Sequence, residues 1–151
     1  LFENAEIDFI IEPYELMVRK IFSIISEPLV SEFLNKIKND KELTEKIYEK
    51  INLLENNNSV VWNIKVDSMN TPAIIEHLNS GGQVRLLDIC PEDKYLHPLL
   101  IRNEKTTKIL PEKDDFIYRD DIILFISNKD SRNYLEYIVE NYSLFNEIIK
   151  A

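Results

Sequence analysis

Arg119-Asp120-Asp121-Ile122-Ile123-Leu124-Phe125-Ile126 decides the fold. Adjacent aspartates suit a tight turn, where a short carboxylate bonds nearby backbone N–H groups. The apolar residues that follow run on without a polar break, the pattern of a central strand. A turn feeding a central strand therefore organises the C-terminal half, and the flanking segments are read around it.

Upstream, Val60-Val61-Trp62-Asn63-Ile64-Lys65-Val66 alternates, with Trp62, Ile64 and Val66 on one face and Val61, Asn63 and Lys65 on the other. Thr71-Pro72 is a helix start, with Thr71 as cap and proline at the first helical position. That helix carries Ile74, Ile75 and Leu78 and closes at Gly81-Gly82. Gln83 to Cys90 reads as a second strand. Leu99-Leu100-Ile101 and Thr106 to Leu110 read as a hairpin around Asn103-Glu104, because asparagine tolerates the positive φ of such a turn. Pro111 to Asp115 is a loop, and Tyr134, Leu135, Ile138, Val139 and Tyr142 share one terminal helix. The order from residue 60 is β-α-β-β-β-β-α, give or take a short strand near Phe116, in an α+β lobe. Trp62, Ile64, Leu86, Leu124 and Phe125 are expected in one core.

The N-terminal part has a different character. Ile7-Asp8-Phe9-Ile10-Ile11 reads as a strand stopped by Glu12-Pro13, and a lone strand needs partners, expected upstream of Leu1 or in another subunit. From Tyr14 to Ile25 the apolar residues cover more than one stripe of a helix, which calls for cover on most sides. Ser26-Glu27-Pro28 breaks and restarts the helix. Leu29, Val30, Phe33, Leu34 and Ile37 follow at helical spacing, and Asn39-Asp40-Lys41-Glu42 resembles a capping box. Leu43, Ile47, Ile51 and Leu54 mark one face of a further helix. The reading divides the chain into 1–28, a helical connector at 29–59, and a lobe at 60–151, with the boundary at Asn56-Asn57-Asn58-Ser59.

Composition restricts the function. Eighteen basic residues against 27 acidic give a net charge of −9, the reverse of what phosphate neutralisation requires, so no nucleic acid is expected as partner. No apolar run reaches the roughly 18 residues of a membrane span. The single cysteine, Cys90, has no partner for an internal disulfide.

The order and residues of the lobe resemble the C-terminal lobe of the RCK (KTN, TrkA-C type) regulatory domains of bacterial potassium channels and transporters. The resemblance lies in the turn Ile101-Arg102-Asn103-Glu104, in Thr107-Lys108-Ile109-Leu110-Pro111, in Asp114-Asp115-Phe116-Ile117 and in Asp120-Asp121 running into Ile122-Ile123-Leu124-Phe125. Asn103 and Asp120 stand where the family carries glycines, and both residue types tolerate left-handed backbone. Phe9-Ile10-Ile11-Glu12-Pro13-Tyr14-Glu15 and the helix after it are similar to the last strand of the family's Rossmann lobe and its subunit-crossing helix. The resemblance implies a cytoplasmic, ligand-sensing gating module on an inner-membrane potassium channel, without enzymatic activity. It implies a homodimer through the crossing helix, pairs assembled into a ring, and a membrane pore on the same or an associated chain. A regulatory subunit of a Trk- or Ktr-type transporter, or a cation antiporter domain, is the alternative; a small-molecule-binding enzyme domain is the reading from another class.

Site candidates follow. Leu16, Met17, Ile21, Phe22 and Ile25 are expected at the dimer interface. Glu27 lies near where calcium-regulated members carry acidic ligands, although one carboxylate is thin for an ion that takes six to eight oxygens, and the bland reading is a helix-start glutamate. Glu12 and Glu15 flank the lobe junction and are candidates for lining a ligand cleft. No glycine-rich dinucleotide fingerprint is present, so no cofactor is assigned to this chain, and calcium, a nucleotide or a cyclic dinucleotide all remain open as the regulatory ligand. Cys90 reads as a core residue, and His77 and His97 lack metal-ligand spacing.

Overall fold

A computed structural model describes residues 28–55 and 60–150 of the chain. The chain forms two units, Leu1–Asn56 and Asn57–Ala151, each described by itself.

In the first unit, α1 (Pro28–Ile37) and α2 (Lys41–Glu55) are the described helices. Leu29, Phe33 and Ile37 recur every fourth residue and are buried together on one face of α1. The cap of α2 is Asp40, whose Oδ1 accepts from the Leu43 N–H at 3.0 Å. Glu42, expected in a capping box, instead meets Lys46 one turn on at 3.4 Å. Thr44 Oγ1 donates back to the carbonyls of Ile37 and Asp40, at 3.0 and 2.8 Å, and stitches the turn.

The second unit is α+β with antiparallel sheets. Its elements are β1 (Val60–Lys65), α3 (Pro72–Asn79), β2 (Val84–Arg85), α4 (Leu86–Ile89), β3 (Leu96–Arg102), β4 (Thr107–Ile109), β5 (Phe116–Ile117), β6 (Ile122–Ser127), α5 (Lys129–Glu140) and α6 (Tyr142–Lys150). Four strands form one sheet in the order β1-β6-β3-β4, and β2 pairs β5 in a second. β6 is thus an interior strand, as its apolar run implies. It runs antiparallel to β1 on one side, with Trp62 opposite Phe125, and to β3 on the other, with Ile101 opposite Ile123. Pro98, which has no N–H for a ladder, sits at the register shift in β3.

Side chains alternate across the sheet. Trp62, Leu96, Ile101, Ile123 and Phe125 face a core shared with Ala73, Ile74 and Ile75 of α3, Leu135, Ile138 and Val139 of α5, and Phe145 of α6. Leu124, expected in that core, is fully buried but lies on the opposite sheet face, because its neighbour Phe125 takes the core side. Leu100, which pairs with it, and Ile126, two residues on along β6, are likewise fully buried there. Ile64 is half-buried at the core margin.

Three other expectations need correction. The segment 83–90 is not one strand: after two paired residues it turns into α4, where the Asp88 carboxylate accepts from the Arg85 N–H at 2.7 Å and starts the helical turn. The terminal helix is two helices, because Asn141 adopts extended backbone (φ −111°, ψ 99°) and its side chain caps α6 by accepting from the Leu144 N–H at 3.1 Å. Asn103 does not take positive φ; its Oδ1 closes the β3–β4 turn by accepting from the N–H groups of Lys105 and Thr106, both at 2.9 Å.

Candidate functional site

One end of the four-stranded sheet gathers three turns, those after β1, between β3 and β4, and before β6. Their backbones are tied together. Val66 N–H donates to the Asp121 carbonyl, and Asp120 N–H donates to the Val66 carbonyl, both at 2.8 Å. Arg102 pairs with Ile122 at the last rung of β3 and β6, which sets Asn103 beside Asp121.

Each turn is built by an Asx side chain. Asp67 Oδ1 accepts from the N–H groups of Met69 and Asn70, at 3.1 and 2.7 Å. Asn103 closes the second turn as described. Asp121 Oδ2 accepts from the Tyr118 N–H at 2.8 Å and closes the third. Asp120, between Arg119 and Asp121, has left-handed backbone at φ 69°. The reading of Asp120-Asp121 as turn chemistry therefore describes what these residues do locally.

It does not describe all of Asp121. The residue is 1 % exposed, and its Oδ1 is the described chain's one fully buried side-chain oxygen or nitrogen without a hydrogen bond. Burial pushes its carboxyl above the ordinary value of 3.8, and the neighbouring Asp120 charge pushes the same way. The Tyr118 N–H and the approach of the Asn103 side chain favour the ion, without giving Oδ1 a bond of good geometry. Nothing in the residue spacing signals this, since an aspartate in a turn before a strand ordinarily keeps its carboxylate in water.

Cys90 is buried, and desolvation pushes its thiol up to about 12 despite the Lys113 ammonium, which leaves it a core residue rather than a nucleophile. Partial burial acts to raise the Asp115 carboxyl, but the Lys108 ammonium at 2.8 Å and the Glu112 N–H at 2.7 Å outweigh it and hold it low. His77 packs edge-on to Phe145, with ring centroids 6.0 Å apart. Among the described residues, no three His, Cys, Asp or Glu side chains are placed to share a metal ion. Among them, too, no helix is long and apolar enough to cross a membrane.

Glu12, Glu15 and Glu27, with Leu16, Met17, Ile21, Phe22 and Ile25, lie outside the described residues. The exposed apolar side chains of the second unit include Met69 in the turn after β1 and Phe116 and Tyr118 around β5. No protein-family model and no curated protein matches the chain.

Proposed function

We propose that the chain is a ligand-sensing and oligomerising gating module of a bacterial potassium channel, of the RCK type, acting on the cytoplasmic side of the inner membrane. The observation that carries the reading is the turn into β6: Asp120 stands where the resembled family has glycine, and it holds the left-handed backbone that a glycine would supply, at φ 69°. The order of elements from β1 to β6 is compatible with the same lobe. On this reading the chain catalyses nothing. A regulatory ligand acts through different affinities for two arrangements of a dimer-based ring, and the arrangement biases the pore.

The test combines mass and ligand response on the whole chain. Native mass measurement is expected to give a dimer, and Phe22→Glu to give monomer or aggregate. A thermal-shift series with calcium, other cations, nucleotides and cyclic dinucleotides is expected to show one saturable rise in Tm, since a ligand that binds the folded state stabilises it by mass action. A monomer insensitive to all of them would overturn the reading.

A further inference from the structure

We propose that the Asp121 carboxyl makes the sheet end acid-responsive: with a proton on it the three turns close tightly, and without one an unpaired buried charge loosens them. The geometry of one side chain gives this response, independently of any gating role.

Asp121 sits where three segments meet. Its main chain accepts from Val66 at the end of β1, its Oδ2 accepts from Tyr118 beyond β5, and Asn103 of the β3–β4 turn lies beside it. Its Oδ1 is fully buried and receives no hydrogen bond from the protein. An ionised carboxylate with one unpaired buried oxygen is costly, because that oxygen has lost water and gained no partner. Protonation removes that charge while Oδ2 keeps its bond to Tyr118.

The charges around it add no compensation. The charged residues on the elements that meet here are Lys65 at the end of β1 and Asp67 after it, Arg102, Glu104 and Lys105 around the β3–β4 turn, and Arg119 and Asp120 in its own turn. Asp120 is the one whose charge bears on Asp121, and it has the same sign. Arg119, the nearest cation in sequence, is turned away onto the Asn79 side chain.

The direction of the pH dependence follows. Burial raises the carboxyl of the folded chain above its ordinary 3.8, so between those two values the folded state holds more protons than the unfolded state. Stability then falls as pH rises through that window and levels off above the folded value. The full contribution is present below the unfolded value and is regained on acidification.

The experiment compares Tm of the chain and of Asp121→Asn from about pH 3.5 to pH 8. Asparagine keeps an oxygen for the Tyr118 N–H and cannot ionise. The native chain is expected to gain on the variant as pH falls, by roughly 5–10 °C for each pK unit of separation in a domain of this size. Parallel curves would overturn the proposal. Because the variant risks failing to fold, the Asp121 carboxyl carbon is also titrated by NMR in the unaltered chain. A midpoint well above that of an exposed aspartate supports the proposal; an ordinary or lower midpoint means that Oδ1 is satisfied as an ion, and refutes it.

Discussion

The chain's single tryptophan offers the sharpest test of how the core is held. Trp62 is 5 % exposed, stacks on Phe125 at 5.0 Å between centroids, and donates its Nε1–H to Ser127 Oγ at 2.8 Å. The Arg132 guanidinium lies 5.0 Å over the same ring. Ser127 is fully buried, so that bond is the natural reason for a hydroxyl there. Trp62→Phe leaves the serine without its donor, at about 1–3 kcal/mol, and loses roughly 1 kcal/mol more with the missing ring atoms. Ser127→Ala leaves the indole N–H buried and unpaired, again at about 1–3 kcal/mol. The double variant leaves neither group orphaned. It is therefore expected to fall short of the sum of the singles by about 1–2 kcal/mol, a few degrees or more in Tm for a domain of this size. Urea unfolding followed by far-ultraviolet circular dichroism reads all four proteins. If the single costs add to within about 0.3 kcal/mol, the hydrogen bond is not what couples β1 to the end of β6.

Three further outcomes are expected. A Cβ on Gly82 would collide with the His77 imidazole, so Gly82→Ala must push that ring off the edge of Phe145. It should cost about 1–3 kcal/mol in a denaturant melt and cost less in a His77→Ala background. Asp120→Val, forcing a branched residue into left-handed backbone, should lose about 1–2 kcal/mol, whereas Asp120→Gly should be neutral or gain up to about 1 kcal/mol. Cys90, with its thiol pushed up to about 12 by burial, should resist a thiol reagent at pH 8 in the native chain and react at once in denaturant. Rapid native labelling would refute the buried position.

The reach of the sequence differed between strands and turns for a physical reason. Periodicity reports which side of an element is buried, so the face carrying Trp62, Ile64 and Val66 and the interior position of β6 were legible. It reports nothing about which of two buried faces a residue joins. Leu124 and Phe125 look alike in sequence yet lie on opposite sides of the sheet. Local side-chain bonds were the other blind spot. Asp88 starts a helical turn inside an apolar stretch that reads as a strand, and Asn141 divides a continuous helical pattern by capping the next helix. Asp120 was legible because only a few residue types accept its backbone, while the same argument failed at Asn103, which closes its turn by side-chain bonds instead. The orphaned oxygen of Asp121 depends on three segments meeting, and no local pattern encodes that.

The energetics of the lobe also say where a gate could store its response. Leu100, Leu124 and Ile126 are fully buried on one side of the sheet, and Ile123 and Phe125 on the other. Separating either face would expose several large side chains at about 1.5–3 kcal/mol each. Coupling between a ligand and a conformational equilibrium is usually only about 1–3 kcal/mol. That is too little to unpack the sheet and comparable to the cost of one strained residue in a turn. Under the proposed function the sheet therefore moves as a block. The parts whose free energy a ligand or a proton can change are the turns at its end, where Asp120 is strained and Asp121 is incompletely bonded.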